Sequence, residues 1–197
     1  MPGPATTWMS QFFATLDGDR AATDELREAS LASALGRWTS SLTTVVVRTF
    51  EALGLPTAGK GHRSTVLPMK QNEYLGQDVM AFPAGSAGWQ FPAAVCELEN
   101  SATDERVAYS LWKVLCVRCQ LRLVFCYRAE PKASVPLVVW LGTSVVKALP
   151  LTDRTTLTGE TVVVVGSRDE ASTFPYGFFQ AWKLNTNTGL FERLARQ

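Results

Sequence analysis

A single histidine, His62, in 197 residues leaves the common Ser-His-Asp and Cys-His schemes without a general base unless that one imidazole serves. There is no excess of either charge: 19 Lys and Arg against 18 Asp and Glu give a formal net charge of +1. That balance excludes the bulk footprint of a strongly basic nucleic-acid binder, so any such contact must come from a local patch. No apolar run approaches the roughly 18–20 residues of a membrane span, because Leu137–Leu149 carries Lys147 and is cut short by Pro150. The opening residues Met1 to Trp8 have neither the basic start nor the apolar stretch of a secretory signal. The expected compartment is the cytoplasm, with no membrane partner. The four cysteines, Cys96, Cys116, Cys119 and Cys126, all fall inside apolar periodic segments, which predicts reduced, buried thiols and no disulfide framework.

What the chain does have is apolar mass. Hydrophobic residues make up 46% and charged residues only 19%, so it must bury a core, and its length fits one domain of roughly 100–200 residues. Helical spacing opens after Thr23-Asp24-Glu25, with Thr23 and Asp24 as candidate N-caps for Leu26, Leu31, Leu35 and Trp38. Leu42, Val45, Val46 and Phe50 continue it to a stop at Gly54-Leu55-Pro56. Thr57–Ser64 reads as a Gly-rich loop, and Thr65–Pro68, Leu75–Phe82 and Phe91–Glu99 read as a three-strand meander. A helix is expected over Thr103–Gln120, a strand over Leu121–Tyr127, a helix over Pro136–Leu149 and a buried strand over Thr161–Val165. The end, Phe178–Leu184 and Leu190–Leu194 around Asn185–Gly189, reads as a hairpin or a strand running into a terminal helix. The expected fold class is α/β (α+β), one central mixed sheet flanked by helices.

The sharpest chemical feature is Val95-Cys96-Glu97-Leu98-Glu99-Asn100. Period two on a strand puts Glu97 and Glu99 on one face, their Cα atoms ~7 Å apart, while Ala94, Cys96 and Leu98 take the apolar face. Like charges that close are unfavourable unless a cation or a basic side chain sits with them. Asp78, at the start of the preceding strand, adds a third carboxylate within reach of an adjacent strand. Oxygen-rich sets of this kind hold Mg²⁺ or Mn²⁺ through one or two carboxylates, waters and phosphate oxygens. On the next helix Arg106, Tyr109, Lys113 and Gln120 share a stripe suited to phosphate. Cys116-x-x-Cys119 has no second ligand pair for zinc. Gly59-Lys60-Gly61-His62-Arg63-Ser64-Thr65 lacks phosphate-loop spacing and reads as a basic loop.

On these residues the chain resembles the PD-(D/E)XK, or restriction-endonuclease-like, nuclease superfamily. Its common αβββαβ core is a helix, a three-stranded meander, a helix and a strand, the order read here from about Leu42 to Tyr127. The resemblance implies that residues 1–40 are a helical extension and residues 128–197 additions within a single domain. In the family motif an acid stands on the second core strand and an acid-x-lysine on the third. Asp78 matches the first and Glu97-Leu98-Glu99 the second, with Glu99 where lysine usually stands; the family's frequent first-helix acid corresponds to Glu51. Some relatives of that pattern also carry Glu there, and others move the lysine to the following helix, which holds Lys113. The implied site is Asp78, Glu97 and Glu51 around Mg²⁺ or Mn²⁺, with Glu99 assisting and Lys113 polarising water. The implied partner is nucleic acid, DNA first, with a protein partner or a homodimer as a further expectation. The alternative is a degenerate member acting as a nucleic-acid-binding or protein-interaction subunit, with Trp89 and Phe174-Pro175-Tyr176-Gly177-Phe178 as its working surface.

Overall fold

Three helices open the chain: α1 (Pro4–Gly18), α2 (Arg20–Leu31) and α3 (Leu35–Ala52). The computed structural model describes residues 2–85 and 88–195. After the helices come strands β1 (Thr57–Gly59), β2 (Val79–Ala81) and β3 (Ala94–Leu98), then helix α4 (Asp104–Leu115) and strand β4 (Leu121–Arg128). Helices α5 (Ser134–Leu141) and α6 (Leu151–Thr155) precede β5 (Glu160–Ser167), β6 (Phe179–Asn185) and β7 (Leu190–Arg193).

The seven strands lie side by side in chain order. β1 to β3 form an antiparallel meander, β3, β4 and β5 are mutually parallel, and β5 to β7 are antiparallel again. Right-handed crossovers between parallel strands advancing in one direction must pass over the same face. That rule accounts for α4 and α5 sharing one layer, where Val107, Leu111, Leu137 and Leu141 pack on Val95, Val124, Val163 and Val165. The opposite face is covered by α1 to α3, whose Trp8, Phe12, Leu42, Val46 and Phe50 pack on Val79, Cys96, Leu123, Phe125 and Val164. The result is a three-layer mixed α/β architecture with a core on each side of the sheet. Among the described residues no helix is long and apolar enough to cross a membrane.

Several local expectations are corrected. The first strand of the meander is Thr57–Gly59, inside the segment expected to be a loop, and Thr65–Pro68 is irregular. Thr57, Ala58 and Gly59 are all buried, and a Cβ on Gly59 would sit 3.1 Å from the Asp78 carbonyl and 3.4 Å from Thr43 Cγ2. This edge strand is therefore selected for smallness, because α3 and β2 crowd it. α1 lies within the helical extension expected over residues 1–40, though its bounds were not drawn; Trp8, Phe12 and Leu16 recur every fourth residue and are almost wholly buried. α2 is capped by Asp19, whose carboxylate accepts from Ala22 N at 3.1 Å, and not by Thr23 or Asp24. Cys116 is exposed, while Cys96, Cys119 and Cys126 are buried with their thiols pushed up by that burial. The terminal segment is the hairpin of the two forms expected.

Two long-range polar ties join the layers. Arg122 on β4 is almost fully buried, donating to Val117 O (2.8 and 3.1 Å) and Thr158 O (2.8 Å), so it binds the turn before β4 to the one before β5. Glu160 at the head of β5 accepts from Ala5 N (2.7 Å) in the first turn of α1 and pairs with Lys183 on β6 (3.2 Å). A carboxylate at a helix N-terminus meets unsatisfied N–H groups and the positive end of the dipole.

Candidate functional site

The antiparallel register that sets Val79 opposite Cys96 brings Asp78 and Glu97 together at the mouth of the β2–β3 pair. Backbone N–H groups of the paired segments hold both carboxylates. Asp78 N donates to Glu97 Oε1 at 3.3 Å, and Leu98 N donates to Asp78 Oδ2 at 2.7 Å. Alternation places these carboxylates on the α4 face, since Val95 and Met80 belong to the core beneath α4 while Val79 and Cys96 belong to the other.

α4 is positioned by its ends and its apolar stripe. Asp104 and Glu105 stand in its first turn and Lys113 in its last, each favoured by the helix dipole. Val107, Leu111 and Val114 fix its rotation against the sheet, leaving Ser110 and Lys113, three residues apart, on the flank toward the acids. Lys113 Nζ lies 2.7 Å from Glu97 Oε2 and donates at 2.7 Å to the Gly76 carbonyl. That carbonyl is presented by two consecutive left-handed residues, Leu75 (φ 54) and Gly76 (φ 65). Leucine in this region costs about 1–2 kcal/mol, and its side chain is 77% exposed, so packing of that side chain does not explain the conformation.

Burial sets the electrostatics. Glu97 is only 5% exposed, and desolvation raises its carboxyl from the ordinary 4.5 to about 7; the nearby charge of Asp78 adds to the rise and the Lys113 hydrogen bond opposes it. Asp78 is also raised, chiefly by burial and further by the charges of Glu73 and Glu99, against the Leu98 N–H and Lys113. With both carboxylates ionised, one ammonium faces two negative charges, and a further cation would relieve the excess. The donors are hard carboxylate oxygens, the type that suits Mg²⁺ or Mn²⁺. Among the described residues no three His, Cys, Asp or Glu side chains are gathered as a complete metal nest, so an ion here would take its remaining ligands from water and phosphate.

The other expected residues fall differently. Glu99 turns away: Oε1 accepts from Ser101 N (2.7 Å) and Oε2 from Ser110 Oγ (3.5 Å), and it reaches Asp78 through its charge alone. Glu51 is exposed in the last turn of α3, a helix of the layer across the sheet, and is not brought to the cluster. Its expected place among the metal ligands is not supported, because the face a helix covers is decided by tertiary packing. His62 meets Thr44 Oγ1 at 3.3 Å, in the tight turn that follows β1. Gly76, Ser110 and Glu73 were not anticipated; a backbone carbonyl and an acid in the irregular segment before β2 leave no mark in a periodic pattern. No family model, no curated protein and no solved structure matches this chain.

Proposed function

We propose that the chain is a metal-dependent nuclease of the restriction-endonuclease-like kind, cleaving phosphodiester bonds in DNA. One observation carries this reading: Asp78, Glu97 and Lys113 converge from two strands and a helix, with Lys113 Nζ 2.7 Å from the Glu97 carboxylate. Two further features support it. The order α3, β1, β2, β3, α4, β4 is the order the resemblance implies, and a lysine supplied by the helix after the third strand accounts for Glu99 in the usual lysine place.

In this reading Asp78 and Glu97 hold Mg²⁺ or Mn²⁺. The bound ion would supply Lewis-acid polarisation of the phosphate and a more acidic water. Lys113 has three N–H donors; Glu97 and Gly76 O take two, leaving one for a phosphate oxygen whose charge grows during the reaction. Leu98 N fixes the Asp78 carboxylate and Asp78 N that of Glu97, so neither ligand must reorganise.

The test is cleavage of end-labelled DNA with Mg²⁺ or Mn²⁺, alongside Mn²⁺ calorimetry. Wild type should bind and cut, Asp78→Ala and Glu97→Ala should lose both while keeping the fold by circular dichroism, and Lys113→Met should slow cutting by about 10²–10³. A second reading has one observation in its favour: Lys113 already neutralises Glu97, as in a binding subunit with a permanent ion pair. Calorimetry showing no Mn²⁺ uptake by wild type would select it.

A further inference from the structure

α4 carries an aromatic pair beside the acid and lysine cluster. Tyr109 and Trp112 have ring centroids 6.0 Å apart at 31°, and they are 58% and 48% exposed. Tyr109 lies one turn before Lys113 on the same stripe, and Trp112 precedes Lys113 directly. Arg106, also exposed, stands one turn before Tyr109. Beyond the end of the helix Arg118 lies over the exposed ring of Phe91, 4.7 Å from its centroid. Along α4 an exposed arginine and two exposed aromatic rings thus stand within two turns of the ammonium that contacts Glu97, and a further cation and ring follow the end of the helix.

We infer that this surface binds single-stranded nucleic acid, with bases stacked on Tyr109 and Trp112 and the backbone following Arg106, Lys113 and Arg118. The inference rests on the phosphodiester reading above and narrows its substrate to strands whose bases are unpaired, such as single strands, frayed ends or flaps. A duplex stacks its bases 3.4 Å apart along each strand and hides their faces, so a flat side chain outside it has no ring to stack on. An unpaired strand offers every base face, and each has a π surface that Tyr or Trp can cover. Charge favours this occupant over a protein. Protein contacts concentrate apolar side chains at a centre and place charge at the rim. Here Trp112 and Lys113 are neighbours, and Arg106 and Tyr109 are one turn apart.

The test measures binding of fluorescein-labelled oligo(dT) and of an equal-length duplex by anisotropy in EDTA, where no cleavage occurs. Wild type should bind the single strand more tightly than the duplex. Tyr109→Ala and Trp112→Ala should each weaken single-strand binding by about 5- to 100-fold with little effect on the duplex, and Trp112→Phe should restore most of the loss. Arg106→Ala should weaken both ligands and lower the salt slope by about one. Equal affinity for the two ligands, no single-strand binding, or aromatic variants that bind like wild type would each overturn the inference. So would a dimer by sedimentation that Trp112→Ala dissolves, since the patch would then be a protein interface. Metal-free single-strand binding without cleavage in Mg²⁺ or Mn²⁺ would leave the inference standing and remove the nuclease reading.

Discussion

Burying Glu97 beside Asp78 with a single ammonium between them makes the metal-free site prefer a proton. The folded-state value of about 7 lies above the ordinary 4.5, so the folded protein binds the proton more tightly than the unfolded chain does. The stability this confers is complete below about pH 4.5 and is lost as pH rises through about 7. In EDTA, urea unfolding should give a free energy that falls by up to about 3 kcal/mol across that window, and Glu97→Gln should flatten most of it. A wild-type curve that rises over the same range would show Glu97 to be an ordinary paired carboxylate. Because the cluster needs its carboxylates ionised to take a cation, Mn²⁺ affinity should rise over the same window. At this scale the meeting of Asp78, Glu97 and Lys113 in space was legible, since strand alternation and helical spacing are local properties. Glu51 and Glu99 were not placed correctly, because residue type and spacing do not state which layer a helix joins or which neighbour bends a carboxylate aside.

Between elements, the connections carry as much information as the strands. Arg122 is buried on β4 with two carbonyls, not a carboxylate, as its partners. Arg122→Met would leave the Val117 and Thr158 carbonyls without these donors and should lower unfolding free energy by about 2–4 kcal/mol in urea titration, with no change in Mn²⁺ uptake. A loss below 0.5 kcal/mol would mean that water replaces the guanidinium. β5 was readable from its unbroken run Val162–Val165, and β4 from Leu123–Tyr127 despite Arg122, because parallel strands are covered on both faces. β1 was not, because an edge strand of Thr-Ala-Gly has no alternation and owes its place to the crowding of Thr43 and Asp78 around Gly59. α3 shows the reverse case. Its β-branched run Thr43 to Val47 opposes helix propensity, yet Thr43 and Thr49 donate to the carbonyls four residues back at 2.8 Å, and the core face overrides propensity.

At the scale of the whole molecule, α1 belongs to a core that the second half of the sequence completes. Trp8 and Phe12 stack on each other and reach Phe125 on β4, Phe12 also meets Phe179 on β6, and the first turn of α1 docks on Glu160. Tertiary partners separated by more than 150 positions give the chain a long loop to close before that core exists. On the ribosome, where the chain emerges from its N-terminus, the first helix is made early and its docking site late. Trp8 and Phe12 can meet Phe50 on α3 and Phe125 on β4 first, but Phe12 lacks Phe179 and the first turn of α1 lacks Glu160 until β5 and β6 have left the exit tunnel, a delay of roughly 10–35 s at about 5–20 residues per second. A fragment ending at residue 150 should therefore remain protease-sensitive and prone to aggregate, whereas the full chain resists the same digestion; a protease-resistant fragment would show that the early helices find a core of their own. The newborn chain is thus a natural client for a chaperone that shields an apolar helix, and the addition of β5 and β6 is the event that ends that need.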